Sequence, residues 1–490
     1  MIAQLPALQV AIPLICAPLC MLLRSRFVAW LLFLVAAGGS LTCAALLAQH
    51  VARDGALHYA MGDWPAPSGI EFVVSSFNTP ILLLVSLVAV VTAVYGRSSV
   101  AAEIDTRRIV LLYTCLCLTL SGLLGLAITA DAFNAFVFLE ISSLATYTLI
   151  AMGSRRRALL ASFHYLVIGS VGALFVLLGI GLAYALTGTL NMPDLAERLT
   201  DSHGNRALYA AVVFVFVGLA IKMALFPLHA WLPGAYAEAP SAVSVFVAAT
   251  STKVAIYVFC RFAFTVFGAA LVFGRMPIEQ IGLLLASLAM LVGSAVACVQ
   301  NDLRYLLAWS SVAQIGYIIA GVSLATAAGV SAAYLHVINH AITKAALFAA
   351  AGLLLLRLGS VRLADLAGLG RRMPWTFAAI AAAGLGLVGV PPTAGFVSKW
   401  ALVTALIERG AWPVLLAVLA SSLLALVYVG RVIETAWFRE APARAEPATP
   451  SVSMAAATWF LVLLSVYFGV DATLPAGLAD GAASALLGGG

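Results

Sequence analysis

Lys222-Met223-Ala224-Leu225-Phe226-Pro227-Leu228-His229-Ala230-Trp231-Leu232-Pro233 ends a long apolar run and breaks it with two prolines. Proline removes a backbone donor and clashes with the preceding turn, so a membrane helix must stop here, at a depth where irregular backbone survives only inside protein. Gly389-Val390-Pro391-Pro392-Thr393-Ala394-Gly395-Phe396 does the same just before Lys399. Paired broken helices in the two halves of a membrane protein point to an internal repeat with a site near the midplane.

Outward from these breaks, apolar runs of spanning length recur along the 490 residues, 63% of which are apolar and 9% charged. An ordinary soluble protein is roughly 25% charged. So few charges cannot cover a soluble fold, which excludes a cytosolic enzyme. A bilayer crossing takes about 20 apolar residues. The predicted spans are 8–23, 27–48, 74–95, 109–130, 132–152, 159–186, 207–226, 241–266, 278–299, 304–325, 328–356, 375–407, 411–436 and 452–470. The fold class is therefore all-α and polytopic, with about 14 transmembrane helices. Four parts follow: N-terminal helices over 1–108, a first repeat over 109–266, a second over 267–436, and a linker, last helix and loose tail over 437–490. Each repeat holds its broken helix in fourth place, and an odd number of helices per repeat inverts one copy relative to the other.

The seven cysteines (16, 20, 43, 115, 117, 260 and 298) fall in apolar stretches with no metal spacing and read as packing residues. The first span is read as retained, not as a signal peptide. Arg24, Arg26, Arg97, Arg107, Arg108, Arg155, Arg156, Arg157, Arg304, Arg357, Arg362, Arg371, Arg372, Arg431, Arg439 and Arg444 fall in loops on one face. Arg53, Arg198, Arg206, Arg275 and Arg409 fall on the other, and Arg261 lies in a span. The positive-inside rule makes the first face cytoplasmic and puts both termini on the opposite side of a cell (plasma) membrane. The net charge of +6 thus reflects topology and gives no sign of nucleic-acid binding.

Which basic residue sits where is more telling. The four lysines, Lys222, Lys253, Lys344 and Lys399, all lie in apolar segments, and every basic loop residue is arginine. Arginine stays charged, whereas a lysine withdrawn from water can give up its proton. A charge at a helix centre costs roughly 2.5–3.5 kcal/mol on the lenient insertion scale, so four imply a purpose. The four read as a chain of protonatable sites. Among the acidic residues Glu140 alone is placed mid-span, and Lys222 is its expected partner. His336, His340 and Lys344 recur at i, i+4 and i+8, on one helical face, where histidines exchange protons near neutrality. Zinc on that His pair is disfavoured because no third ligand is near in sequence and Lys344 repels a cation. His164 and His229 are weaker candidates. No cofactor ligand set and no redox or hydrolytic site is found in the chain.

Lys222 to Pro233, continued by Ala235-Tyr236-Ala237-Glu238-Ala239-Pro240, resembles the central signature of the antiporter-like membrane subunits of respiratory complex I, membrane-bound hydrogenases and Mrp-type cation/proton antiporters. Ser251 to Tyr257, Leu306 to Tyr317, Asn339 to Lys344 and Gly389 to Lys399 are similar to further blocks of that family. Gly234 and Thr343 depart from it, standing where many relatives carry an acidic residue and a bulky aromatic. The resemblance implies a 14-helix fold with two inverted five-helix repeats. It implies Glu140 and Lys222 as an ion pair, Lys253 as a bridge between halves, His336, His340 and Lys344 as a central relay, and Lys399 as the terminal site. Within the family the similarity is greatest to the D-type subunits of the Mrp antiporters.

The function expected is proton translocation in a multisubunit Na+/H+ antiporter, with other membrane subunits as partners. Hard cations want clustered oxygen ligands, and an interior rich in lysine repels them, so any sodium site is expected in a partner subunit. The alternative is the proton-pumping subunit of a complex I-like NADH:quinone oxidoreductase or membrane-bound hydrogenase. A stand-alone solute transporter is a third reading.

Overall fold

A computed structural model describes residues 2–202, 204–440 and 451–488. Arg444, counted above on the arginine-rich face, and most of the linker that carries it lie outside the described residues. Helices α1 (Leu5–Leu23) and α2 (Arg26–Asp54) lead into a hairpin of β1 (Leu57–Ala60) and β2 (Glu71–Val74), then α3 (Thr79–Glu103). Next come α4 (Ile109–Ile128), α5 (Ala132–Ala151), α6 (Arg156–Thr187), the short α7 (Met192–Leu199), α8 (Arg206–Lys222), α9 (Leu232–Glu238) and α10 (Ser241–Cys260). The second half holds α11 (Ile278–Val299), α12 (Leu303–Ser323), α13 (Ala327–Leu358), α14 (Pro374–Val388), α15 (Ala394–Arg409) and α16 (Trp412–Phe438). α17 (Val452–Val470) and α18 (Thr473–Leu487) complete the chain.

Among the described residues, 12 helices are long and apolar enough to cross a membrane, and the chain is a multi-pass membrane protein. The two predicted spans outside that set, 207–226 and 375–407, carry the proline breaks. There α8 stops at Lys222 and α9 begins at Leu232, while α14 stops at Val388 and α15 begins at Ala394. The freed backbone groups find partners, as burial demands. Trp231 Nε1 donates to the Ile221 carbonyl at 2.9 Å, and Lys399 Nζ donates to the Leu387 carbonyl at the end of α14 at 2.7 Å.

Helix starts follow ordinary capping chemistry. The Asp131 carboxylate accepts from Asn134 N at the head of α5, and Asp302 accepts from Arg304 N and Tyr305 N at the head of α12. Where helices cross, small residues let backbones approach, the pattern expected when lipid gives no hydrophobic drive. A Cβ on Gly218 of α8 would meet the Gly172 carbonyl of α6, and one on Gly293 of α11 would meet the backbone of Ala313 of α12.

The centre is formed by α10, α12 and α13. α10 is buried along its length except at Ser251, and α13 packs against α3, α10, α12, α14, α15, α17 and α18. α6, α11 and α16 instead show one leucine-rich face outward, as at Leu174, Leu284 and Leu416, which suits lipid or a neighbouring subunit. Two expectations need correction. The tail after Asp471 is a helix, α18, whose Pro475, Ala479, Ala482, Ala483 and Leu486 are buried. Arg304, read as a loop residue, is buried at 6% exposure on α12, where its guanidinium finds enough oxygen atoms to replace water.

Candidate proton-transfer centre

Lys222 is the last residue of α8, so its side chain leaves the helix where the proline break opens space beside α5. Its Nζ lies 3.4 Å from Glu140 Oε1, 2.9 Å from Ser143 Oγ and 3.4 Å from Tyr147 OH. Glu140, Ser143 and Tyr147 stand at i, i+3 and i+7 on α5, one face of one helix. The carboxylate stands out in the sequence as an acid in an apolar span, whereas the two hydroxyls do not, although their spacing marks them. The pair is unevenly buried, with 4% of the Lys222 side chain exposed against 24% of Glu140. The carboxylate is therefore at the flank of the protein and the ammonium inside it.

A cavity of about 20 Å³ adjoins Lys222, lined among others by Ser143, Thr146, Tyr165 and Ser251. One water needs roughly 10–15 Å³ and polar partners. Ser251 Oγ, buried without a protein partner, is such a group. It belongs to α10, two residues before Lys253, so the cavity joins the Lys222 region to the helix bearing the next lysine.

Lys253 is 1% exposed. Its Nζ donates back along α10 to the Ala248 carbonyl at 2.6 Å and lies 3.4 Å from Thr252 Oγ1. It has no direct bond to Lys222 or to the histidines. On α13, Lys344 is fully buried and donates to the Leu307 carbonyl at 2.8 Å and to Ser310 Oγ at 2.5 Å, both on α12.

His336 and His340 stack nearly parallel, centroids 5.9 Å apart and planes at 10°. The two ring nitrogens of His336 are 2.8 Å from Ser398 Oγ and 2.8 Å from Gln314 Oε1. Both are thus engaged by protein side chains, which fix the orientation of the ring. Neither nitrogen of His340 has a protein partner, although the residue is 2% exposed. Buried polar atoms in that position ordinarily bind water.

Lys399 is on α15, just past the second break, and its Nζ reaches back to the carbonyls of Leu387 at 2.7 Å and Val388 at 3.1 Å and to Ser422 Oγ at 3.0 Å. Those carbonyls end α14, where the helix dipole favours a cation. The ammonium also sits 4.5 Å over the Tyr317 ring, a cation–π contact. Tyr317 lies 5.5 Å from the His336 ring, and Ser398 is next to Lys399, so His336 and Lys399 form one cluster. Ser310, Gln314 and Tyr317 follow at i, i+4 and i+7 on α12, a face to which the sequence alone assigns no role.

The predicted residues thus fall into local groups: Glu140 with Lys222, Lys253 on α10, Lys344 against α12, and His336 and His340 with Lys399. His164 is exposed on the outer face of α6, away from all of them. His229 stacks on Phe226 in the break, centroids 5.1 Å apart, with Nδ1 unpartnered. Among the described residues no group of three or more His, Cys, Asp or Glu is arranged to hold a metal.

The family described as NADH:quinone oxidoreductase/Mrp antiporter, transmembrane region, matches residues 129–425. The chain belongs to this family. The matched region contains Glu140, Lys222, Lys253, His336, His340, Lys344 and Lys399. The NADH-quinone oxidoreductase N subunit of Desulforudis audaxviator is 41% identical over 462 residues, covering 92% of this chain and 90% of the relative. The Na(+)/H(+) antiporter D subunit of Alkalihalophilus pseudofirmus is 32% identical over 404 residues, covering 82% and 80%. The Mrp complex from Dietzia sp. DQ12-45-1b contains a chain that superposes with a TM-score of 0.89 at 26% identity, covering 99% of this chain and 97% of that one. Subunits of antiporters and of oxidoreductases thus both match this chain over most of its length.

Proposed function

We propose that the chain is the proton-translocating subunit of a multisubunit monovalent cation (Na+)/H+ antiporter in the cell's plasma membrane, working with other membrane subunits. Protons pass from Glu140/Lys222 through Lys253 to His336, His340 and Lys344, and leave at Lys399. One observation carries this: four lysines, each at most 6% exposed, are placed along the protein interior on neutral oxygens, with one carboxylate at one end. Lysine in that setting exchanges a proton, whereas arginine does not. Water at the Lys222 cavity and at His340 supplies the steps between groups that do not touch.

Residues 109–266 and 267–436 are taken as two inverted repeats, each contributing one broken helix, flanked by 1–108 and 437–490. The arginine-rich face is taken as cytoplasmic. A second reading, the proton-pumping subunit of a complex I-like oxidoreductase, is favoured by the 41% identity to an oxidoreductase N subunit. The assembled complex, purified with its partners and placed in liposomes, separates them. A sodium gradient drives proton movement in the first case, and an electron donor with quinone drives it in the second. In either, Glu140→Gln leaves assembly intact and abolishes the proton signal. A normal signal in that variant rejects the shared relay.

A further inference from the structure

A buried acidic site on the arginine-rich face stands outside this relay. Glu238, at the end of the half-helix α9, is 4% exposed. Its Oε1 accepts from Tyr305 OH at 3.0 Å, and its Oε2 is buried with no protein partner. It lines a cavity of about 240 Å³ together with Glu103, Ser154, Arg155, Pro240 and Arg304, which is room for several waters. These residues come from the ends of α3, α9 and α12 and from the loops beside them, so the cavity opens among the arginine-rich connections.

The surrounding charges hold the corner between α9 and α10. Arg304 donates to the carbonyls of Tyr236 (3.3 Å) and Ala239 and to Ser244 Oγ, capping the negative end of α9. Glu103 Oε2 accepts from Ser241 N at 2.9 Å, capping the positive end of α10, while Ser99 Oγ donates to Oε1 at 2.6 Å. Arg304 and Glu103 are thus engaged by backbone, and the free oxygen in the cavity belongs to Glu238. From there α10 offers Ser241 Oγ, itself unpartnered, and further along the same helix the Ala248 carbonyl to which Lys253 donates, while Ser244 Oγ between them donates to the Tyr236 carbonyl at 2.9 Å and is held by Arg304.

We propose that Glu238 is the site at which a proton is taken up from water on the arginine-rich face and passed along this face of α10 to Lys253. The carboxylate takes the proton from cavity water. It then releases it through the Ser241 hydroxyl and bound water to the Lys253 amine, regaining its charge. The inference rests on the relay proposed above: Glu238 supplies the proton from outside, and the charge of the Glu140/Lys222 pair, joined to α10 through the Ser251 cavity, governs its uptake at Lys253, so Lys222 remains required.

The test uses the whole complex in liposomes, with co-purification confirming assembly. Glu238→Gln keeps shape and the Tyr305 contact but cannot carry a proton, and lowers the initial proton flux at least about tenfold. Glu238→Asp restores most of it. A Glu238→Gln complex as fast as the parent overturns the inference, as does an aspartate variant as slow as the amide, which would mark a packing role. Lys222→Met is run in parallel. If it transports normally the relay itself fails, whereas loss there with a normal Glu238→Gln removes the intake site alone. The parent complex gives an independent reading with dicyclohexylcarbodiimide, which couples to protonated carboxyls in apolar surroundings. A peptide adduct at Glu238 that forms as flux falls is expected, and labelling of Glu140 without Glu238 contradicts it.

Discussion

At the residue scale, what distinguishes this interior is lysine held by neutral oxygen. Lys399 rests on two helix-terminal carbonyls, a serine and a tyrosine face, so its position tolerates a positive charge well. If charge were its only role, Lys399→Arg would preserve function. Because arginine keeps its proton, the expected outcome is an assembled complex without proton-coupled transport, checked by flux in liposomes. Gln314 tests the support of the histidines. Gln314→Leu leaves His336 Nε2 unpaired in the core, which costs about 1–3 kcal/mol. It should lower the melting temperature of the purified complex and slow its flux together. The charged members of the centre were legible in the sequence because an ionisable residue in an apolar span is costly and rare. Their hydroxyl partners Ser143, Ser310 and Ser398 were not, because serine is common in membrane helices and only its position relative to a lysine gives it meaning. Glu238 is hidden in the sequence for another reason: two residues before Pro240 it reads as the polar end of a break, and only the packing of α3 and α12 over it makes it buried.

At the element scale, the two breaks place Lys222 and Lys399, the two ends of the proposed relay. Both were readable from proline, which fails in a helix interior for a local reason that no tertiary context removes. The second break also depends on close approach. A Cβ on Gly395 of α15 would run into the Gly386 carbonyl of α14. Gly395→Val is expected to separate the half-helices, cost at least about 1–3 kcal/mol and move Lys399 off its carbonyls. Thermal unfolding and flux of the same preparation check both effects. The residues of α18 are small and weakly polar, a composition that reads as a loose tail. Yet buried Pro475, Ala479, Ala482 and Leu486 recur at helical spacing, the signal that composition masked. Ser331 Oγ donates to Asp480 and α18 lies along α13. Removal of residues 473–490 is expected to lower the melting temperature of the complex, and an unchanged value would make α18 dispensable.

At the scale of the whole molecule, the polytopic class follows from composition alone, and arginine placement sets the proposed orientation. Single cysteines at Arg371 and at Arg53 should react with an impermeant maleimide from opposite sides of intact cells and inverted vesicles, Arg53→Cys from outside. The reverse pattern inverts the topology. How the groups would join across the protein is not legible in the sequence, because the links proposed are a cavity beside Lys222, an unpartnered Ser251 and a His340 with no protein partner. The most direct test of proton passage along this line is flux through the reconstituted complex carrying Lys222→Met or Lys399→Met, substitutions at its two ends. Each alone should abolish proton movement with all subunits present. Transport at the parent rate in either variant would contradict the account.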